Sequence, residues 1–315
     1  MHNEQLTMDA RRAELMRMAG AEVWAILPGA IERMLAAPSP LAPLRFQGEG
    51  ELYAITRPGP KSGRVARVPI VGMITKASSI WSLFGGTTVE KLTAALRQVA
   101  LDETVGTVLL DIDSPGGTVS GLPALAAEVR ALRESKHVVA LANDLAASAA
   151  YWVASQADEI VASPEALTGS IGVFAVHDDY SAMMERIGIK TTYIHAGKYK
   201  VEGNPDEPLG DEARAHIQAS VDEAYGLFVG DVARGRGVTA AQVRADYGEG
   251  RVLTARAAKA AGMIDRIATY DETVQRLSGM GTRHGDAAAT GSRHGDAMST
   301  LANKRRRLEI ADKTF

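Results

Sequence analysis

The sequence predicts an α/β fold with a mostly parallel sheet and helices on both faces. Two observations and one rule of packing carry this. Between residues 64 and about 270, apolar runs of strand length alternate with runs of helical periodicity. Apolar strands alternating with helices build parallel sheets that are covered on both sides. The 315 residues, 46% hydrophobic and 23% charged, suffice for one large domain or two small ones.

The elements follow in order. RVARVPIVGMI (64–74) reads as a strand and TTVEKLTAALRQVA (87–100) as a helix. VGTVLLDI (105–112) is a strand, LPALAAEVRALRES (122–135) a helix, HVVALAN (137–143) a strand, and AAYWVASQAD (149–158) a helix. Strands recur near DEIVAS (158–163), SIGVFAV (170–176) and KTTYIHA (190–196). Residues 211–236 form a long helical pattern whose apolar face (Ile217, Val221, Ala224, Phe228, Val232) needs covering, by its own core or by a second copy. TAAQVRADY (239–247) is a shorter helix, and RVLTARAAKAAGMIDRIA (251–268) closes the core.

Four regions result: an N-terminal segment 1–48, a linker 49–63, a core domain 64–278 and a tail 279–315. Residues 8–36 carry helical periodicity, broken at Pro28-Gly29, and 37–63 are rich in Pro, Gly and Ser. The tail contains RHGDA twice, at 283–287 and 293–297, then KRRR (304–307). Its small polar residues cannot build a core, so it reads as a flexible solvated segment rather than a metal site.

Composition excludes several classes. The net charge of −3 gives no global field for nucleic acid or an anionic membrane. With no cysteine there are no disulfides, thiolate nucleophiles or Cys-ligated zinc. The N-terminus lacks a signal-peptide pattern. The most apolar early run, AEVWAILPGAI (21–31), has 11 residues and includes Glu22 and Pro28; a membrane span needs about 20 apolar residues. The expected location is the cytoplasm, with no membrane and no nucleic acid partner.

Four short segments carry candidate chemistry. In DLAASAAY (144–151), Ser148 stands among Ala146, Ala147, Ala149 and Ala150 at a strand-to-helix junction. Such a serine is either a nucleophile that small neighbours leave open to a substrate backbone, or a helix cap or small packing residue. LLDIDSPGG (109–117) ends a buried strand in a turn where Gly116 and Gly117 can aim N–H groups outward, as an oxyanion hole requires, or simply make the turn. TGSIGVF (168–174) offers the hydroxyls of Thr168 and Ser170. HAGKYKVEGNP (195–205) offers Lys198 and Lys200; a desolvated lysine can serve as a base, and residue alternation does not choose between the two. None of the seven histidines falls in a local motif with a suitable acid.

In this order and spacing, LLDIDSPGG, ALANDLAASA, TGSIGVFAVHDDY, GKYKVEGNPDEPL and the closing RVLTARAAKAAGMID resemble the S49 serine peptidases, the signal peptide peptidase A family. More narrowly they are similar to its bacteriophage branch of head-maturation (capsid) proteases. The resemblance spans about residues 64–270 and implies a ClpP/crotonase-like superhelix. It implies Ser148 as nucleophile, Lys200 as general base 52 residues later, and Ser170 as the hydroxyl that orients the lysine. The oxyanion donors would be the N–H of Gly116 or Gly117 and that of Ala149. No metal or cofactor is implied. Substrates would be proteins or peptides, and in a phage context scaffold, portal and capsid-associated proteins in the procapsid. Bacterial members usually carry a membrane anchor that this sequence lacks, and some are two fused copies. One copy here implies a homo-oligomer.

Rival readings are a cytoplasmic peptidase that degrades peptides, or a silent assembly scaffold of the same fold. A crotonase-type acyl-CoA enzyme gives Ser148, Ser170 and Lys200 no job. A ClpP-type Ser-His-Asp peptidase needs a histidine in the stretch that here reads SIGVFAV.

Overall fold

A computed structural model describes residues 22–31, 53–57, 64–79, 81–82 and 86–280. The strands are β1 (Trp24–Ile26), β2 (Ala54–Arg57), β3 (Arg64–Val71), β4 (Ile74–Thr75), β5 (Thr87–Thr88), β6 (Val105–Ser114), β7 (Gly116–Thr118), β8 (His137–Ala147), β9 (Glu159–Ala162), β10 (Leu167–Gly169), β11 (Val252–Thr254) and β12 (Arg266–Ile267). The helices are α1 (Val89–Leu101), α2 (Leu122–Leu132), α3 (Ala149–Ala154), α4 (Ser181–Arg186), α5 (Asp211–Arg236), α6 (Ala240–Asp246), α7 (Ala255–Ala260) and α8 (Tyr270–Met280).

The larger sheet runs β11-β10-β8-β6-β3-β2, with β9 against β8 and β12 against β9. β3, β6, β8 and β10 are parallel neighbours, and β8–β9 and β9–β12 are parallel too. β2 and β11 add antiparallel edges. β8 is the branch point. Its residues Val139–Ala142 pair with β9, and Leu145–Ala147 pair with β10. The residue after the fork is Ser148. A smaller sheet, β1-β7-β4-β5, is built on the strand that follows the Ser-Pro-Gly turn.

Alternation along β6 explains why helices cover both faces. Val108, Leu110 and Ile112 enter the main core with Leu92 and Leu96 of α1 and Leu125 and Val129 of α2. Leu109 points the other way, to Val139, Leu141 and Val161 beneath Val274 and Leu277 of α8. Truncating Leu109 or Leu110, both fully buried, to alanine would cost about 2–5 kcal/mol. α1 buries Val89, Leu92, Ala95, Leu96 and Val99, a helical stripe, and Thr88 caps it by accepting from the Lys91 N–H.

The α/β class and the mostly parallel, doubly covered sheet are as the sequence predicts. Four local expectations change. Within the predicted N-terminal helical segment, Trp24–Ile26 is a strand, because two backbone edges of the core pair with it. β2 lies within the expected linker, on the edge of β3. The strand near SIGVFAV sits earlier, at β10, and leaves one isolated bridge at Phe174. KTTYIHA is an exposed irregular stretch; its β-branched residues meet no neighbouring edge, and propensity alone does not make a strand. The remainder of 1–48 and of the linker, and the tail beyond 280, lie outside the described residues. On α5 the chain's own core covers Ala224, Phe228 and Val232. Phe228 stacks on Trp152 at 4.5 Å, and the Trp152 indole N–H donates to Asp231 Oδ2 at 2.9 Å. Ile217 and Val221 stay half-buried.

Candidate active site

Ser148 joins β8 to α3 with φ 54 and ψ −118. Only three non-glycine residues described have positive φ: Ser148, Ser170 and Glu249. Two of the three are thus sequence-selected site residues, and strain of this kind gathers where structure serves function. The Ser148 N–H donates to the Gly169 carbonyl at 2.6 Å, and its own carbonyl accepts from the Trp152 N–H at 2.9 Å. The side chain makes no helix-capping bond; Oγ donates instead to the Gly172 carbonyl at 3.4 Å. That disfavours the cap reading. Ala146, Ala147, Ala149 and Ala150 are all fully buried around it, as is Ser148 itself.

The Ser-Pro-Gly-Gly turn lies directly against this junction. Ser114 Oγ donates to the Gly72 carbonyl at 2.6 Å and accepts the Gly116 N–H at 3.2 Å, which fixes the turn. Gly116 has φ 103, and a Cβ there would overlap the Ala25 carbonyl and lie 3.0 Å from the Ala149 nitrogen. Gly117 is paired with Ala25 on one side and Ile74 on the other, and a Cβ would overlap the Ile74 carbonyl. Glycine is therefore required at both positions, and Gly116 is the one in touch with Ala149.

Ser170 follows β10 with φ 52, its N–H on the Arg251 carbonyl at 2.8 Å. The register Thr168↔Ala146 and Gly169↔Ala147 lays this strand flush beside the end of β8. Ser148, Ser170, Gly116, Gly117 and Ala149 are thus brought to one place. Thr168 is fully buried, and its Oγ1 has no hydrogen-bond partner.

Lys200 is exposed. Residues 186–200 are exposed throughout, and the chain turns over 197–203. The Lys200 N–H donates to the Gly197 carbonyl at 3.2 Å, and no hydrogen bond joins its side chain to Ser148. Lys198 Nζ donates to Tyr199 Oη at 2.8 Å and to Glu212 Oε1 at 3.1 Å. Those bonds, to Tyr199 first and Glu212 second, push the Lys198 ammonium above its usual range, the wrong direction for a base. Near the carboxyl ends of β6 and β8, burial, then the charges of Asp144 and Asp111, raise the Asp113 carboxyl. Among the described residues, no group of three or more His, Asp or Glu could hold a metal, and no helix is long and apolar enough to cross a membrane.

Sequence reasoning missed β1. Trp24–Ile26 lies antiparallel on β7, with Ile26 opposite Gly116. The signal available was the apolar run AEVWAILPGAI, which has no period that names its partner.

Known proteins resemble the chain. Residues 130–280 match the peptidase family S49. The capsid assembly protease C of Escherichia phage lambda is 32% identical over 248 residues, 76% of this chain and 54% of that protein. A putative protease of Synechocystis is 30% identical over 212 residues, 67% of this chain and 72% of its own length. The chain spans about half the length of several curated relatives it matches. Among solved structures, a point mutant of ClpP1 from Listeria monocytogenes is a remote likeness, with a TM-score of 0.41 and 13% identity over 65% of this chain and 92% of that one.

Proposed function

The chain belongs to peptidase family S49, and from that premise we propose that it is a serine endopeptidase working through a Ser148–Lys200 dyad. One observation carries the reading. Ser148 is held at a strained strand-to-helix junction, its hydroxyl unused for capping, beside the backbone N–H of Ala149 and the glycine turn. That is the arrangement acyl transfer needs: a nucleophile with N–H donors aimed beside it.

In this reading Ser148 Oγ attacks the scissile carbonyl while a neutral Lys200 Nζ takes the hydroxyl proton. The oxyanion is met by the Ala149 N–H and by the Gly116 N–H, which exchanges its long bond to Ser114 for the developing charge. Lys200 returns the proton to the leaving amine, and water then hydrolyses the acyl-enzyme. Ser170 orients the amine.

A second copy of the chain supplies Lys200. Within one chain Lys200 is exposed, whereas a lysine base must be desolvated to be neutral near pH 7. The segment bearing it also exposes Ile187, Ile189, Tyr193, Ile194 and Tyr199, with Ile194 at 99%. A neighbouring copy that covers this segment would bury those apolar side chains and desolvate the lysine against its own Ser148. The similarity to a phage capsid assembly protease supports substrates among scaffold and capsid-associated proteins, and a homo-oligomer acting in a procapsid or its host cytoplasm. Hydrolysis of a reporter peptide and of co-expressed head proteins, by the full chain and by Ser148→Ala, tests the reading. Equal cleavage by both proteins overturns it.

A further inference from the structure

A segment of the chain itself lies against the glycine turn beside Ser148. β1 fills a slot one strand wide between two backbone edges. On one side it pairs with β7, in register Trp24↔Thr118, Ala25↔Gly117 and Ile26↔Gly116, extended by Leu27 N–H to the Pro115 carbonyl at 2.7 Å and Val119 N–H to the Val23 carbonyl at 3.0 Å. On the other side Trp24 exchanges both hydrogen bonds with Phe174, at 2.8 and 2.9 Å. Two edges about twice the inter-strand spacing apart, about 9.5 Å, hold one extended chain.

Both walls of the slot end at the nucleophile. The β7 wall begins at Gly116, where a Cβ would lie 3.0 Å from the Ala149 nitrogen and equally close to Ile26 Cα. On the opposite side, Gly172, two residues before the Phe174 bridge, accepts the Ser148 hydroxyl on its carbonyl. An extended peptide that pairs with both edges is therefore led to Ser148. β1 already does so. Trp24, Ala25 and Ile26 are buried, Trp24 packs edge-on against Trp81 at 5.4 Å, and Ser148 has no exposed surface. Pro28 follows at once; it has no N–H for the ladder, and Gly29 (φ 79) turns the chain away.

We propose that Val23–Leu27 is a resident pseudosubstrate: it occupies the channel that binds extended peptide substrates by strand addition, and it must leave before a substrate reaches Ser148. The proposal rests on the peptidase reading for the word substrate, but the channel and its occupant stand on geometry alone. The occupant also describes the ligand it excludes. It is an extended peptide with a bulky aromatic side chain in the Trp24 position, a small one in the next and an aliphatic one beside Gly116. Backbone pairing supplies affinity, and the alternate side chains supply selectivity.

The sequence has no cysteine, so a single engineered pair can lock the strand. Trp24 and Phe174 form a hydrogen-bonded antiparallel pair, with Cα atoms about 5.5 Å apart, within disulfide reach. In the full chain, Trp24→Cys with Phe174→Cys should bind a fluorescein-labelled VWAIL peptide when reduced. When oxidised it should bind at least about tenfold more weakly, because the competent state is closed off. Ala25→Pro, which removes a ladder donor, should open the channel and tighten peptide binding over wild type by a similar factor. Hydrolysis of a reporter peptide should follow the same order. If no form cleaves yet peptide binding still switches, the channel stands and the peptidase reading falls. If all forms cleave and bind equally, the peptidase reading stands and the pseudosubstrate falls. Ala25→Pro that unfolds the chain, with peptide binding unchanged by oxidation of the cysteine pair, also overturns it and leaves β1 a structural strand.

Discussion

The two members of the proposed dyad sit in opposite surroundings. Ser148 is wholly buried where β8 forks, and the neighbours that position it belong to the sheet, to α3 and to the stretch after β10 that carries Gly172. Lys200 lies on a turn in an exposed arm that carries several uncovered apolar side chains. The nucleophile half is organised by the folding of one chain. In the dyad proposed above, the base half is not, and a second copy would have to complete it.

The largest effect expected is on the buried half. Ser148→Ala should lower the peptide hydrolysis rate about 10⁴-fold or more, the loss typical when a nucleophile is deleted. Far-UV circular dichroism should be unchanged, since the site is already lined with alanine. A surviving rate within about tenfold of wild type would move the nucleophile elsewhere.

Lys200→Met should be nearly as damaging, while Lys198→Met retains most activity, since Lys198 is held protonated by Tyr199 and Glu212. The sharper experiment mixes subunits. Equal amounts of Ser148→Ala and Lys200→Met chains, each dead alone, should regain about a quarter of wild-type activity, because random assembly of a symmetric ring pairs an intact serine with an intact lysine at that fraction of interfaces. If mixing restores nothing, the dyad closes within one chain and the contrast between the halves is only apparent. Light scattering that finds an active species of 33.4 kDa would say the same.

Ser170→Ala should reduce the rate by about tenfold, less than loss of a reacting group, because its hydroxyl only orients the amine. Ser170 also holds a strained φ, so its rescue by threonine should be incomplete. A rate equal to wild type would remove Ser170 from the site.

What the sequence made legible follows the same division. Motifs whose geometry is local were readable. LLDIDSPGG dictates a buried strand and a glycine turn, and DLAASAA dictates a small-residue junction, so Ser148, Gly116 and Ala149 meet as their segments imply. The parallel sheet was readable because alternating apolar runs leave few other solutions. What depends on distant pairing was not. Nothing within Trp24–Ile26 says that its partners are residues 116–118 and Phe174, and the KTTYIHA stretch looks like a strand until no edge is found for it. The position of Lys200 was the least accessible, since exposure is a property of the whole fold.

The smallest effect concerns acid. Desolvation alone would raise the Asp265 carboxyl, but bonds from Arg236 and the Ile160 N–H outweigh it and hold it below its usual value. A depressed folded-state value stabilises above the unfolded value of about 3.9. That contribution is lost as pH falls through the lower, folded value. Thermal melting from about pH 6 to about pH 2 should show wild type losing stability more steeply than Asp265→Asn, and parallel curves would assign the acid sensitivity to other groups. The exposed arm should contribute nothing to the difference, which keeps the contrast between the halves measurable.

The positive φ of Ser148 places this protein's reactivity and its robustness in competition. A strained backbone of this kind costs about 1–3 kcal/mol, whereas glycine there would lose only about 0.5–1 kcal/mol through added freedom in the unfolded chain. Strain relief wins, so Ser148→Gly should melt at a higher temperature than the active protein. A single substitution then offers any lineage that no longer needs cleavage a sturdier, inert protein. Decay of such genes should begin at the serine, with the glycines of the neighbouring turn outlasting it because their overlap with β1 and β4 is steric.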